Sequence, residues 1–176
     1  IFLGKKKCFS GSLNDENDLN RLSEFFCGFL NIDFKKKPKL VRDRSTKKEI
    51  LKHSFSDIPE KAVSFINFQT IKDVEKKIGK KINFFRFRGN FNFSGGHPWE
   101  EFDWIGKKLK IGSAEFEVFK KTQRCLATTV NPSNGERDIN IPFELSKNFG
   151  HFDLGVYCKI IKDGIVKKND EISIIS

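Results

Sequence analysis

The apolar positions in the first third of the chain follow a helical spacing in one segment. They predict a helix over about residues 18–30, with Asp15 or Asn17 available to cap its first turn. Residues 1–13 before it predict the end of a strand that runs into a turn. The polar, charged stretch 35–52 after it predicts a connector. We therefore interpret the first 52 residues as a helical connector.

From residue 62 onward short apolar runs dominate the pattern. A strand is predicted at 62–66, and Asn67 then caps a helix that ends at Gly79. Beyond that glycine the apolar period changes to two, which is typical of strands. The further predicted elements are strands at 85–88, 109–111, 114–118, 126–130, 154–161 and 171–175, with a short helix from Pro142 to about Gly150. This order predicts a mainly β fold with a few helices (α+β) and a closed or nearly closed β-barrel.

The composition excludes several classes of protein. Of the 176 residues 38% are hydrophobic and 20 are Phe, which is enough for the core of one domain. No apolar run approaches the ~20 residues that a membrane-spanning helix needs, so no membrane span is predicted. The four cysteines form no CxxC pair, which favours a reduced, cytoplasmic protein. Because the chain contains no Met, we interpret it as a processed product or a piece of a longer reading frame.

The charge alone does not predict a nucleic-acid-binding protein. The net charge is +10 with neutral His, and 26 of the 33 cations are Lys. These lysines are spread along most of the chain, which favours a solvated surface over a dedicated surface for a polyanion. A small anionic ligand needs only a few well-placed cations and stays open as a ligand.

Cys125 is the most suggestive single residue. It follows Arg124 and two nearby lysines, and positive charge close to a thiol raises the fraction of thiolate. A thiolate is both a nucleophile and a soft metal ligand. The alternative is a small buried hydrophobic residue, the interpretation that the apolar surroundings of Cys8, Cys27 and Cys158 favour.

Two arginines alternate with phenylalanines at 85–88. On a strand, Arg86 and Arg88 would share one face and could hold a phosphate or carboxylate, or simply face water. An RNA-recognition signature fails, because Asn90 stands where an aromatic residue should follow the basic-glycine pair. The three scattered His form no HExxH, and the chain has no GxGxxG or P-loop, so a zinc enzyme and a nucleotide fold are not supported.

The order of four motifs resembles the MOSC domain, the C-terminal domain of molybdenum-cofactor sulfurases. The motifs are Phe87-Arg88-Gly89-Asn90, Pro98-Trp99-Glu100-Glu101-Phe102-Asp103-Trp104, Arg124-Cys125-Leu126-Ala127-Thr128-Thr129-Val130-Asn131-Pro132 and Gly150-His151-Phe152-Asp153-Leu154-Gly155-Val156-Tyr157. The sequence is most similar to stand-alone bacterial members, and the mitochondrial amidoxime-reducing component shows a similar succession. The resemblance implies a domain at 53–176 preceded by a remainder of the N-terminal part at 1–52. Relatives carry a further N-terminal barrel segment, so we expect a C-terminal fragment.

The resemblance implies a β-barrel-like fold that holds a molybdenum cofactor, a molybdenum-pterin group. It assigns Cys125 as the thiolate ligand of the metal and the catalytic residue. Arg88 matches a basic residue that contacts the pterin or its phosphate, and Asn90 would hold the turn. Arg124 would help to neutralise the anionic cofactor, and the Tyr157 hydroxyl would hydrogen-bond near it. Lys61 lies in a loop where relatives place polar contacts to the cofactor. His151 and Asp138 belong to the bacterial pattern without an assigned role.

Three functions follow as hypotheses. The first is an oxidoreductase that reduces a small N-hydroxylated or N-oxide compound with electrons from a ferredoxin- or cytochrome-type protein. The second is a sulfur carrier with a persulfide on Cys125, although nothing resembles the pyridoxal-phosphate domain of the cofactor sulfurases. The third is a non-catalytic module for a polyanion, with nucleic acid disfavoured, which predicts strong salt dependence and indifference to Cys125→Ser.

Overall fold

The computed structural model describes residues 1–3, 5–40, 58 and 60–175. Its internal contacts divide the chain into two units, residues 1–53 and 54–176. Within the described ranges, no helix is long and apolar enough to cross a bilayer. The part of the predicted connector beyond residue 40 lies outside the described residues.

The first unit consists of a small hairpin and one helix. Its elements are β1 (Phe2–Leu3), β2 (Lys6–Lys7), α1 (Glu16–Leu30) and a 3-10 helix (Phe34–Lys36). The Asp15 carboxylate accepts the N–H of Asp18 at 2.9 Å, so Asp15 is the N-cap and the predicted helix is confirmed. The predicted strand end is a hairpin, because β1 and β2 pair antiparallel.

The second unit is built on one six-stranded sheet. Its elements are β3 (Val63–Asn67), α2 (Phe68–Ile78), a 3-10 helix (Phe84–Phe87), β4 (Phe91–Phe93), a 3-10 helix (Glu100–Trp104), β5 (Lys108–Ile111), β6 (Ala114–Gln123), a 3-10 helix (Leu126–Thr129), α3 (Ile141–Phe149), β7 (Asp153–Lys162) and β8 (Ile172–Ile174). The strands lie in the order β4-β3-β7-β6-β5-β8. Only β3 and β4 run parallel among these pairs. The α+β class is confirmed, and the sheet curls into a half-barrel whose described edges are β4 and β8.

Local signals set most element ends in this unit. Asn67 accepts the N–H of Gln69 at 2.8 Å and begins α2, which stops at Gly79 in the left-handed conformation, with φ 68°. Pro142 lies in the first turn of α3, as predicted. The strands predicted at 109–111 and 114–118 form a hairpin that turns between Ile111 and Ala114, which are paired at the ends of β5 and β6.

The sheet is covered on both faces. Phe65 and Ile66 are neighbours on β3 and both are fully buried, yet they belong to two different apolar clusters. Successive side chains of a strand point to opposite faces, so each face of the sheet carries its own core. Phe116 packs edge-on against Phe65 in the first cluster, and Leu145 of α3 contributes to the second.

The strand predicted at 85–88 is wrong. The Asn83 side chain accepts the N–H of Phe85 at 3.0 Å and begins the Phe84–Phe87 3-10 helix. The alternation of Phe and Arg does not separate a buried from an exposed face, because Phe85 is 64% exposed and Arg86 is buried. The helix ends at Arg88, whose φ is 52°. The two arginines therefore do not share a strand face.

The strand predicted at 126–130 is also wrong. Residues Leu126–Thr129 form a 3-10 helix. Two threonine hydroxyls donate to carbonyls three residues earlier, Thr128 to Cys125 at 2.8 Å and Thr129 to Leu126 at 2.7 Å. These local hydrogen bonds outweigh the β-propensity that the β-branched residues suggest.

A buried carboxylate holds the Glu100–Trp104 helix on the start of α2. Glu101 is fully buried and accepts hydrogen bonds from Asn67 Nδ2 at 3.0 Å and from Thr70 Oγ1 at 2.9 Å. Both donors are neutral, and burial raises the pKa of the Glu101 carboxyl above its ordinary value. The folded protein therefore binds this proton more tightly than the unfolded chain does.

We expect Glu101→Gln to remove a pH-dependent loss of stability. The raised pKa gives wild type a stabilising contribution that is complete below the unfolded-state pKa and is lost as pH rises through the folded-state pKa. The free energy of unfolding of wild type minus that of the variant should thus decrease from about pH 4 to about pH 8. Urea unfolding of both proteins across this range measures the difference.

Glu171→Gln is the matched control, since Glu171 is exposed in the same unit. Its stability difference from wild type should vary much less over the same pH range. A Glu101→Gln difference as flat as that of the control would contradict a raised pKa at Glu101.

Candidate functional site

The second unit contains a pocket of about 620 Å³. Its walls come from three strands and two 3-10 helices. These are β3, the end of β6, the start of β7, the Phe84–Phe87 helix and the Leu126–Thr129 helix. Its charged lining residues are five cations and one carboxylate: Arg86, Arg88, Lys120, Lys121, Arg124 and Asp153. A smaller cavity of about 250 Å³ beside the end of α2 is lined by lysines, Gly79 and Glu75, with no cysteine among its described lining residues.

Cys125 lies in this pocket and is exposed. It stands two residues after the last residue of β6 and directly before the Leu126–Thr129 helix. Thr128 donates both its N–H, at 3.1 Å, and its hydroxyl, at 2.8 Å, to the Cys125 carbonyl. The backbone of Cys125 is thus held by the helix that follows it. Cys27 and Cys158 are buried, as predicted, and Cys8 is partly buried.

Arg124 holds the chain on the N-terminal side of Cys125. Its guanidinium donates from Nε to the Leu154 carbonyl at 2.8 Å, from Nη2 to the same oxygen, and from Nη1 to the Phe87 carbonyl at 3.1 Å. Burial lowers the pKa of Arg124 to about 10, so the side chain stays charged at neutral pH. Arg124 therefore joins three segments of the pocket wall and leaves a fixed positive charge beside Cys125.

Gly155 makes room for this arrangement. Its φ is 81°, and a Cβ atom there would collide with the Phe65 carbonyl oxygen and stand 3.3 Å from Arg124 Nη2. A larger residue would therefore push β7 away from β3 and crowd the guanidinium.

Arg88 and Asn90 lie in the pocket as predicted from the sequence, but with different environments. Arg88 is exposed in the left-handed conformation and forms no ion pair within the described residues. Asn90 Oδ1 accepts the N–H of Ser64 at 2.9 Å and its hydroxyl at 3.1 Å, which ties the turn to β3. Arg88 is thus available to meet an anion, as is exposed Lys121, which also forms no ion pair within the described residues, while Asn90 holds the wall.

Tyr157 lines the pocket and Lys61 does not. Tyr157 is half-buried on β7, its ring stacks on Phe119 at 6.4 Å between centroids, and Lys120 Nζ lies 5.8 Å from its ring centroid. Lys61 is exposed and is absent from the lining of this pocket. Its predicted contact with a cofactor has no support from this placement and stays a prediction.

The sequence interpretation missed the role of Arg86 and the presence of Asp153. Arg86 is 5% exposed and donates to Asp138 Oδ1 at 2.9 Å. Burial of the Asp138 carboxyl acts to raise its pKa, but hydrogen bonds from Arg86 and Asn131 hold the pKa below its ordinary value. No local pattern links residues 52 positions apart, so only the fold could reveal this pair.

Asp153 is the one carboxylate among the described lining residues, and His151 lies next to it. The Asp153 N–H donates to His151 Nδ1 at 3.2 Å. The His151 ring lies against Trp99 and Phe102, at 5.2 and 5.7 Å between centroids, and burial lowers its pKa. His151 therefore accepts a backbone hydrogen bond in its neutral form and positions the start of β7.

Three comparisons relate the chain to known proteins. The profile of the MOSC domain matches residues 50–173. Mitochondrial amidoxime reducing component 2 of Rattus norvegicus is 27% identical over 75% of this chain and 44% of its own length, and component 1 of Danio rerio is 24% identical over 94% and 55%. Molybdenum cofactor sulfurase of Drosophila willistoni is 25% identical over 68% of this chain and 15% of its own length. The chain spans about half the length of the amidoxime-reducing components.

A solved structure shares the fold. YiiM from Geobacillus stearothermophilus aligns with a TM-score of 0.51 and 15% identity, and covers 65% of this chain and 54% of its own. At this identity the match supports the curled sheet and its helices.

We expect Arg124→Lys to lower the free energy of unfolding by about 1–3 kcal/mol. Lysine keeps the charge but cannot reach the Leu154 and Phe87 carbonyls together, so a buried oxygen loses its donor. Urea unfolding measures the loss. Arg137→Lys is the control, because exposed Arg137 also donates to a carbonyl, that of Leu126, yet water can replace the bond. Equal losses in the two variants would contradict the structural role of Arg124.

Proposed function

Because the chain belongs to the MOSC domain family, we propose that it binds a molybdenum-pterin cofactor and reduces N-hydroxylated or N-oxide compounds. The observation that carries the proposal is an exposed thiol, Cys125, in a pocket whose lining contains five cations and one carboxylate. Such a lining favours an anionic ligand, and the thiolate of Cys125 is a soft ligand for a metal. The relatives include reductase components and a molybdenum cofactor enzyme by name.

The metal-ligating side chains of the pocket fit a metal whose other ligands come from its cofactor. Within the described ranges, no three His, Cys, Asp or Glu side chains cluster as a metal site. Among the described lining residues Cys125 is the soft donor, and the remaining ligands would come from the cofactor. The volume of about 620 Å³ lies within the usual range of ligand pockets.

The pocket residues have different roles in the proposed binding of the cofactor. Cys125 is the metal ligand and Arg88 meets the anionic part of the pterin, because its charge is unpaired within the described residues. Arg124 adds a fixed positive charge, Asn90 holds the turn that presents Arg88, and Tyr157 offers an aromatic wall with a hydroxyl. When bound, the cofactor supplies two-electron redox chemistry.

The overall reaction needs an external electron donor. Reduction of an N-hydroxylated compound takes up two electrons and two protons, breaks the N–O bond, leaves an N–H bond on the product and releases the oxygen as water. The electrons would come from a ferredoxin- or cytochrome-type protein, and the basic surface of this chain suits an acidic one. The predicted cytoplasmic location and the domain boundary at residues 52–53 stay predictions.

Transfer of sulfur is the second candidate function. The match to a molybdenum cofactor sulfurase and the exposure of the Cys125 thiol both favour it. In this case Cys125 would carry a persulfide, and sulfane sulfur would be present without stoichiometric molybdenum. The two functions therefore differ in whether the Cys125 sulfur binds molybdenum or a second sulfur atom.

We expect stoichiometric molybdenum and pterin in the wild-type protein and their loss in Cys125→Ser. The protein is made in its natural reading frame, in a host that synthesises the cofactor, and metal and pterin are measured per folded chain. Arg88→Gln should weaken cofactor retention by about 10–100-fold, because it removes a cation of the lining that forms no ion pair within the described residues.

Cys8→Ser and Arg21→Gln are the matched controls, since both residues lie in the first unit and neither lines the pocket. Both should retain wild-type molybdenum. A folded wild type without molybdenum would exclude the oxidoreductase. Sulfane sulfur on Cys125 would then support sulfur transfer, and its absence would leave binding of a polyanion.

A further inference from the structure

Arg86 is the most deeply buried cation of the pocket lining, and it joins three segments. Its side chain is 1% exposed. Nη1 donates to the carbonyls of Thr128 at 3.1 Å and Thr129 at 3.3 Å, and Nη2 donates to Asp138 at 2.9 Å. One guanidinium thus links the Phe84–Phe87 helix, the helix after Cys125 and the segment that carries Asp138.

Arg86 contacts the Leu126–Thr129 helix, and this helix in turn contacts Cys125. Thr128 is 5% exposed, gives its carbonyl to Arg86 and donates its N–H and hydroxyl to the Cys125 carbonyl. A displacement of the Leu126–Thr129 helix would therefore move Cys125. On the other side Cys125 is joined to Arg124, whose N–H donates to the Phe152 carbonyl at 2.8 Å.

Asp138 is the anchor of this arrangement. Its carboxylate accepts from Arg86 and, at 2.8 Å, from Asn131 Nδ2. Arg86 Nε has no hydrogen-bond partner within the described residues, so without Asp138 the guanidinium would keep its two carbonyl contacts from Nη1 but lose its counter-ion. Removal of the carboxylate would leave a buried charge without its counter-ion, which is strongly destabilising.

We propose that Arg86, neutralised by Asp138, is a positioning residue that fixes the orientation of Cys125 through the Thr128 and Thr129 carbonyls. The planar guanidinium spans two carbonyls and a carboxylate at once, which a lysine ammonium cannot do in the same geometry. The identity of the ligand on Cys125 rests on the proposed function. The orientation of Cys125 is a property of the chain itself.

The test uses Arg86→Gln, Arg86→Lys and Asp138→Asn in the natural reading frame. Hydrogen exchange of the Thr128 amide, which donates to Cys125, should become about tenfold faster in Arg86→Gln. Molybdenum retention per folded chain should weaken by about 10–100-fold. Arg86→Lys keeps the charge and should lose less than Arg86→Gln in both Thr128 amide protection and molybdenum retention. Asp138→Asn should give values of both quantities between those of wild type and Arg86→Gln.

Glu101→Gln is the control for a merely structural effect. Glu101 is equally buried in the same unit but does not line the pocket. The urea concentration is chosen for each protein so that all proteins are compared at the same free energy of unfolding. The control should leave Thr128 exchange and molybdenum retention at wild-type levels.

Two results would overturn the proposal. One is wild-type Thr128 exchange in folded Arg86→Lys and Asp138→Asn, and the other is an equal change in Glu101→Gln at matched stability. If the wild type holds no molybdenum, the proposed function fails, but Thr128 exchange still decides whether Arg86 fixes Cys125. The two failures are therefore distinguishable.

Discussion

Hydrogen bonds from two buried guanidinium groups to peptide carbonyls hold the wall that carries Cys125. Arg124 donates to the Leu154 and Phe87 carbonyls, and Arg86 donates to those of Thr128 and Thr129. Buried backbone oxygens require donors, and a guanidinium can satisfy several of them at once. This constraint explains why an irregular segment, with neither strand nor α-helix at Cys125, is held in place at a pocket.

The sheet provides the space that this arrangement needs. β7 approaches β3 closely because Gly155 has no Cβ, and the same position leaves room for Arg124 Nη2. Cores on both faces of the sheet fix the strands that end at the pocket. With Arg86 and Arg124 committed to backbone and carboxylate, Arg88 keeps its charge unpaired within the described residues. The pocket therefore contains buried cations that build its wall and exposed cations, Arg88 and Lys121, that can meet a ligand.

The sequence predicted the elements with strong local signals. Asp15 and Asn67 begin helices and Gly79 ends one, because caps are determined within a few residues. Both errors lie at the pocket, at 85–88 and 126–130, where side chains form hydrogen bonds with the backbone and replace strand pairing. Neighbouring charge singled out Cys125, and the Phe–Arg alternation singled out Arg88. The resemblance of motifs then assigned roles to both and added Arg124, Asn90 and Tyr157. The Arg86–Asp138 pair could not be predicted, since it depends on contacts across 52 residues.

X-ray absorption at the molybdenum edge tests most directly whether the Cys125 sulfur binds molybdenum, as we propose. The measurement compares the wild-type protein with Cys125→Ser, each isolated in its natural reading frame from a host that makes the cofactor. We expect molybdenum in the wild type to have one more sulfur neighbour than any molybdenum that the variant retains. Identical sulfur coordination in the two proteins would contradict this proposal.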